Sequence, residues 1–183
     1  MHDQMLMTLH LRFSRSHGAH PALDGAAASC CLRTTTTTIN MSLTIQSQNK
    51  VFEGVLTKYS FRSKVLGGLE AKMNVFLPES ANAGHKVPVL YFLSGLTCTE
   101  DNAAQKGHFF EAAAKEQLAI VFPDTSPRGA NIPGEEDSWD FGTGAGFYVN
   151  ATKEPWNKNY NMYDHVLKES PQLIASEQIP IDV

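Results

Sequence analysis

The sequence predicts an α/β fold, built as a β-hairpin followed by the start of a parallel sheet. Three observations predict it: two alternating segments flank Gly67-Gly68, two nearly continuous apolar runs follow at 87–93 and 118–122, and a helical pattern separates those runs. Alternation marks strands with one covered face, and continuous apolar runs mark strands covered on both. A strand, helix, strand order is the grammar of a right-handed parallel crossover.

The hairpin comes first. Residues 51–63 read as an extended strand with Val55, Thr57, Tyr59 and Phe61 on one face. Gly67-Gly68 supplies the positive backbone angles of a tight turn. Met73, Val75 and Leu77 then alternate with Lys72, Asn74 and Phe76 in a partner strand that ends at Pro78. The run 87–93 follows as a buried strand and leads into Ser94-Gly95-Leu96-Thr97-Cys98-Thr99. Thr99 is placed to cap a helix over 101–116, with Glu100 and Asp101 near its positive end and Ala103, Phe109, Phe110 and Ala113 as its buried positions. The run 118–122 is a second buried strand, stopped by Pro123. Residues 124–158 form a long loop rich in Gly, Pro, Asp and Trp, and loops of that length are usually functional. A further helix starts near Asn159 and runs through Met162, Val166, Leu173 and Ile174, with Pro171 expected to kink or interrupt it. Residues 180–183 read as the approach to another strand.

Bulk composition sets the outer limits. A chain of 183 residues suits one domain, and 42% hydrophobic with 19% charged residues is the balance of a soluble globular protein. A net charge of -4 gives no electrostatic reason to expect nucleic acid or an acidic membrane as partner. No apolar stretch approaches the roughly 20 residues that span a bilayer. Cys30, Cys31 and Cys98 form neither a disulfide framework nor a zinc pattern, and their odd number fits a reducing, cytoplasmic compartment.

Residues 1–40 differ in kind from the rest. They hold an alanine run at 26–28, a threonine run at 34–38 and no apolar period long enough for a core, so they are expected to be a disordered extension. The domain is expected over 41–183, with Met41 as a second start. An organelle signal is the alternative, since Arg12, Arg15 and Arg33 outnumber Asp3 and Asp24, and Met5, Leu6, Leu9 and Phe13 share a helical face. His17 and His20 make a poor metal pair in such a segment.

A hairpin, a buried strand, a Gly-containing turn, a helix and another buried strand together open many α/β-hydrolases. In that fold the loop after the third strand donates a backbone N–H to an oxyanion hole. Gly95 and Leu96 occupy that loop, and one rigid N–H aimed at developing charge is worth roughly 3 kcal/mol of barrier. A plain strand-to-helix turn would account for the same spacing.

The wording of three segments goes further. LSGLTCTEDN (93–102), PDTSPRG (123–129) and EDSWDFGTGAGFYVNAT (136–152) closely resemble the S-formylglutathione hydrolase, or esterase D, family. Tyr163 and Ser170-Pro171-Gln172-Leu173-Ile174 continue the likeness in order, so that it covers 50–183. The resemblance implies the N-terminal part of an α/β-hydrolase fold that cleaves S-formylglutathione to glutathione and formate in formaldehyde detoxification, with small esters as further substrates. It implies a serine nucleophile, a histidine base and an orienting aspartate, with no metal and no organic cofactor. It assigns Leu96 to the oxyanion hole through its backbone N–H, and Gly95, Cys98, Trp139, Asp140 and Phe141 to the substrate pocket, with Cys98 near the mouth. For the two aromatics, core packing is the competing account. For full-length members it leaves a homodimer open.

One departure is serious. No G-x-S-x-G occurs in the 183 residues, so no residue here inherits the role of a triad member. The nucleophile is expected after the strand that Ile181 opens, beyond Val183, and the chain is expected to be inactive alone. The strand carrying that nucleophile would lie beside 87–93, so that run is expected to form an exposed edge, with poor solubility or a molten state as the consequence. Two other readings are a non-catalytic fragment that associates with a full-length homologue, and one half of a two-chain enzyme. Ser94 and Ser126 lack the glycines of a nucleophile elbow, and Gly142, Gly144 and Gly146 lack the spacing and the preceding strand of a dinucleotide loop. Asp124 needs only the capping chemistry of its turn, and His85, His108 and His165 fit surface or capping positions.

Overall fold

The computed structural model describes residues 42–82 and 85–183. The extension expected over 1–40, with its organelle-signal alternative, lies outside the described residues. The hairpin is present as β2 (Gly54–Arg62) and β3 (Glu70–Pro78), antiparallel in continuous register from Gly54↔Pro78 to Arg62↔Glu70. Gly67 and Gly68 take φ of 68° and 83°, as the turn requires. Ahead of them runs β1 (Thr44–Lys50), an antiparallel edge strand that the sequence reading misses. All seven of its residues are exposed, so it carries no apolar alternation, and such a polar strand blunts the sheet edge against pairing.

A short helical turn, α1 (Glu79–Asn82), precedes β4 (Val87–Tyr91). After it come α2 (Glu100–Lys106), α3 (Phe110–Lys115) and β5 (Ala119–Pro123). The strand order is β1-β2-β3-β5-β4-β6, with β6 at Ile181–Asp182. Strands β4 and β5 are parallel neighbours, as the crossover grammar predicts, while β5 is antiparallel to β3. This places β5 centrally, and all five of its residues are buried. Its alternation serves both faces: Ala119 and Val121 join the core with Met73, Val75 and Ile174, while Ile120 and Phe122 join Phe76 and Phe110 on the other side.

Two expectations are corrected. The run 87–93 is not covered on both faces, because Leu90 is 46% and Leu93 38% exposed. Strand β6 pairs only with Val87 and Pro88, and among the described residues no strand continues along that side of β4. The helix expected over 101–116 is two helices. Gly107 packs so closely that an added Cβ would lie 1.9 Å from the Phe109 ring, and His108 takes φ of 52°. That reversal inserts Phe109 beside Phe92 and Phe122, and Phe110 beside Phe76. The gain in aromatic burial outweighs the lost helical turn.

The last helical stretch runs as α4 (Met162–Asp164), a π-helical turn (His165–Glu169) and α5 (Ser170–Ser176). Pro171, expected to kink or interrupt it, stands at the start of α5, directly after the π-helical turn that breaks the α-helical pattern. The exposed half of β4 yields a prediction. Leu90→Lys is expected to keep the chain monomeric at higher concentration, read by size-exclusion with light scattering. Unchanged association would show that another surface is responsible.

Candidate active-site turn

The turn between β4 and α2 is where the sheet meets the positive end of a helix. Thr99 caps α2: its side chain accepts the Asp101 N–H, and Asn102 Oδ1 accepts the Thr99 N–H at 2.8 Å. The first turn is anchored to the hairpin. Lys58 Nζ lies 2.8 Å from Glu100 Oε1 and also holds Asp101, while Asn74 Nδ2 donates to the Glu100 carbonyl at 3.0 Å. Burial lowers the affinity of Lys58 for its proton, yet hydrogen bonds to Asp101 and Glu100 outweigh it and hold the ammonium more tightly than usual. Burial likewise works to raise the Asp101 pKa, but Lys58 and Asn74 overcome it and leave that carboxyl below its ordinary range.

Within the turn, Thr97 takes φ of 67°, a left-handed conformation held by its N–H bond to the Gly144 carbonyl at 2.9 Å. The Cys98 N–H donates to Gly95 O at 3.2 Å. Tyr148 Oη–H donates to the Ser94 carbonyl at 2.7 Å, and burial raises the pKa of this phenol, keeping it a donor. The Gly144 N–H in turn donates to Ser126 Oγ at 2.6 Å. Three successive amides of the turn stand apart: among the described residues, none of the Ser94, Gly95 and Leu96 N–H groups donates to a protein acceptor. Of these residues Ser94 is buried, Leu96 half-buried and Gly95 exposed.

The glycines of this region have different reasons. A Cβ added at Gly142 (φ 78°) would lie 2.0 Å from the Glu135 carbonyl, a packing demand that explains the glycine without a nucleotide. A Cβ added at Gly95 would meet nothing within 4 Å. Gly95→Ala is therefore expected to change stability by less than about 0.5 kcal/mol, measured by urea unfolding. A larger loss would mean that the described residues themselves need the glycine.

Gly95, Leu96 and Cys98 thus share one ordered turn, with Cys98 a half-buried free thiol. Trp139, Asp140 and Phe141 lie in the long loop, and among the described residues no hydrogen bond or aromatic contact joins them to that turn. Core packing does not account for Trp139, which is 71% exposed. Phe141 is half exposed with its edge on Trp156 at 4.8 Å between centroids. The loop reaches the turn instead through Thr125 and Arg128, on the Cys98 carbonyl, and through Gly144 and Tyr148. Asp124 does more than cap its turn, since it pairs with Arg128. His165 is corrected outright: it is 2% exposed, stacked on Phe61 and paired with Glu169. No group of three or more His, Cys, Asp or Glu among the described residues is arranged to hold a metal ion.

The comparisons with known proteins fall on the same stretch. A family model described as "Putative esterase" matches residues 63–179. The S-formylglutathione hydrolase of Mus musculus is 51% identical over 142 residues, covering 78% of this chain and 49% of its own length. That of Arabidopsis thaliana is 49% identical over 133 residues, covering 73% and 46%. The solved S-formylglutathione hydrolase from Agrobacterium tumefaciens superposes with a TM-score of 0.71 at 42% identity, covering 75% of this chain and 49% of that one. The chain spans about half the length of the curated relatives it matches. Fold, donor turn and sequence likeness coincide along one stretch, and the chain belongs to the putative esterase family, as a homologue of the S-formylglutathione hydrolases.

Proposed function

We propose that this chain supplies the oxyanion-hole half of a serine thioesterase that converts S-formylglutathione to glutathione and formate, with small carboxylic esters as further substrates. The observation that carries the reading is the pair of unpartnered N–H groups at Gly95 and Leu96, in a turn whose next two amides are both bonded. A donor with no protein acceptor, on a backbone fixed from both sides, costs no reorganisation when charge develops opposite it. In this reading the Leu96 N–H takes one side of the thioester oxyanion, and the N–H after the nucleophile takes the other. The nucleophile, its histidine and its aspartate are in this reading supplied from outside these 183 residues, which hold no G-x-S-x-G, and a continuation of the same polypeptide is the proposed source.

Gly95 gives the acyl carbonyl room to approach, and Cys98, Trp139, Asp140 and Phe141 border the pocket for the thiol and acyl groups. The exposure of Trp139 and Phe141 supports this, because a core role would have buried them. The reaction belongs to formaldehyde disposal in the cytoplasm, a compartment in keeping with the free thiol at Cys98. Among the described residues no helix is long and apolar enough to cross a membrane. The test is to co-fold this chain with the C-terminal half of the Mus musculus S-formylglutathione hydrolase and assay S-formylglutathione and p-nitrophenyl acetate. Hydrolysis by the complex, with neither half active alone, is the expected result. A stable complex without hydrolysis would count against the reading.

A further inference from the structure

The donor turn is clamped by the loop that leaves the central strand. The Cys98 carbonyl oxygen accepts two hydrogen bonds from that loop, one from Thr125 Oγ1–H and one from Arg128 Nη2 at 3.1 Å. Arg128 has no freedom of its own, because Asp124 grips it in a fork: Nε to Oδ2 at 2.7 Å and Nη2 to Oδ1 at 2.8 Å. Asp124 is 7% exposed and directly follows β5, the most buried strand of the sheet. A rigid path therefore runs from the sheet centre through Asp124 and Arg128 to the peptide plane after Cys98. On the other side, Tyr148 fixes the Ser94 carbonyl and Gly144 the Thr97 N–H. The Ser94 carbonyl before Gly95 and the Thr97 N–H after Leu96 are thereby held, while among the described residues the Gly95 and Leu96 N–H groups are left without a protein partner.

We propose that Arg128, locked by Asp124 and assisted by Thr125, is the positioning residue of the Leu96 oxyanion donor. The inference rests on the esterase reading of the turn. Arg128 touches neither the donor nor the acyl group in this role; it acts through the Cys98 carbonyl, which sets the orientation of the turn. A capping or solubilising role for Arg128 would need neither the two-point grip of Asp124 nor the second donor from Thr125.

The test has one arm that is independent of catalysis. In the full chain, amide exchange is followed at Thr97 and Cys98, whose N–H groups are bonded to Gly144 O and Gly95 O. Arg128→Met is expected to speed exchange at both by about tenfold or more, with the β3 amides of Val75 and Phe76 unchanged. Arg128→Lys keeps the charge but not the fork, and is expected to lie nearer the Met variant than the parent. In the co-folded esterase, Arg128→Met is expected to lower kcat for p-nitrophenyl acetate about tenfold at unchanged KM, because a misaligned donor weakens only the transition state. Unchanged exchange at Thr97 and Cys98 overturns the clamp. Faster exchange with unchanged kcat overturns the positioning role, even if the complex is an active esterase. Should Arg128→Met lose protection in β3 as well, Thr125→Val decides, because it removes one donor and leaves the Asp124–Arg128 pair intact. Local acceleration at the turn supports the proposal, and its absence overturns it.

Discussion

The 183-residue chain on its own is expected to hydrolyse S-formylglutathione at least about six orders of magnitude more slowly than an enzyme with its nucleophile in place. The described serines make this specific. Ser94 is buried and its Oγ has no hydrogen-bond partner, so no base is at hand to activate it. Ser126 Oγ donates to the Pro127 carbonyl and accepts the Gly144 N–H. Ser63 is the one with the right company, since its Oγ lies 3.4 Å from His165 Nδ1 with Glu169 beside both. The composition is that of a triad, but the order is wrong. Glu169 Oε2 takes the hydrogen bonds of both Ser63 Oγ and His165 Nδ1, so the carboxylate stands where the histidine should. Ser63 is also 0% exposed, and no substrate reaches it. A fluorophosphonate probe on the isolated chain is expected to leave every serine unlabelled. Stoichiometric labelling of Ser63, Ser94 or Ser126 would contradict this.

Glu169→Ala is expected to lower stability by about 3–5 kcal/mol, the cost of breaking a buried pair and stranding its donors. Glu169 Oε1 accepts the backbone N–H groups of Lys64 at 2.7 Å and Val65 at 3.2 Å, while Oε2 accepts from Ser63 and from His165 at 2.8 Å. One carboxylate thus ties the turn between β2 and β3 to the π-helical segment. Burial works to raise its pKa, but the hydrogen bonds from His165, Ser63 and Val65 outweigh it and hold the carboxyl below its ordinary 4.5. The folded-state value lies below the unfolded one, so this stabilisation is complete above the unfolded pKa and is lost as pH falls through the folded one. Acid destabilisation below about pH 4.5 should accordingly flatten in Glu169→Ala. Urea unfolding in the Leu90→Lys background, at neutral pH and at low pH, measures both effects. A loss under 1 kcal/mol, or an unaltered acid limb, would contradict the assignment.

The fold was legible where pattern and burial agree. The Met73, Val75 and Leu77 alternation sits in β3, and Gly67-Gly68 turns as its positive φ requires. Residues 87–93 and 118–122 look alike as apolar runs, yet burial depends on neighbours, and of the two strands they form only β5 has a paired strand along both sides. Composition of a run cannot report which position in the sheet it occupies. The helix break at Gly107-His108 was written in a glycine, but its cause is Phe109 and Phe110 reaching a distant aromatic cluster. Strand β1 escaped notice because its polar residues pair through the backbone alone. At the site, the segment 93–102 pointed to Gly95, Leu96 and Cys98, and the structure separates them: the Cys98 N–H is bonded to Gly95 O, whereas among the described residues the Gly95 and Leu96 N–H groups have no protein acceptor. Arg128 and Tyr148 act on backbone carbonyls far away in sequence, with separations of 30 and 54 residues, and no local pattern announces such contacts. His165 likewise became a core residue only when the hairpin turn closed over it.

Sequencing the source transcript through the codon for Val183 and onward tests the central claim most directly. The account predicts an open frame that continues into a strand and a Gly-x-Ser-x-Gly turn, with an aspartate and a histidine later in that order. A stop codon immediately after Val183 would contradict the placement of the nucleophile on the same polypeptide as the Leu96 donor.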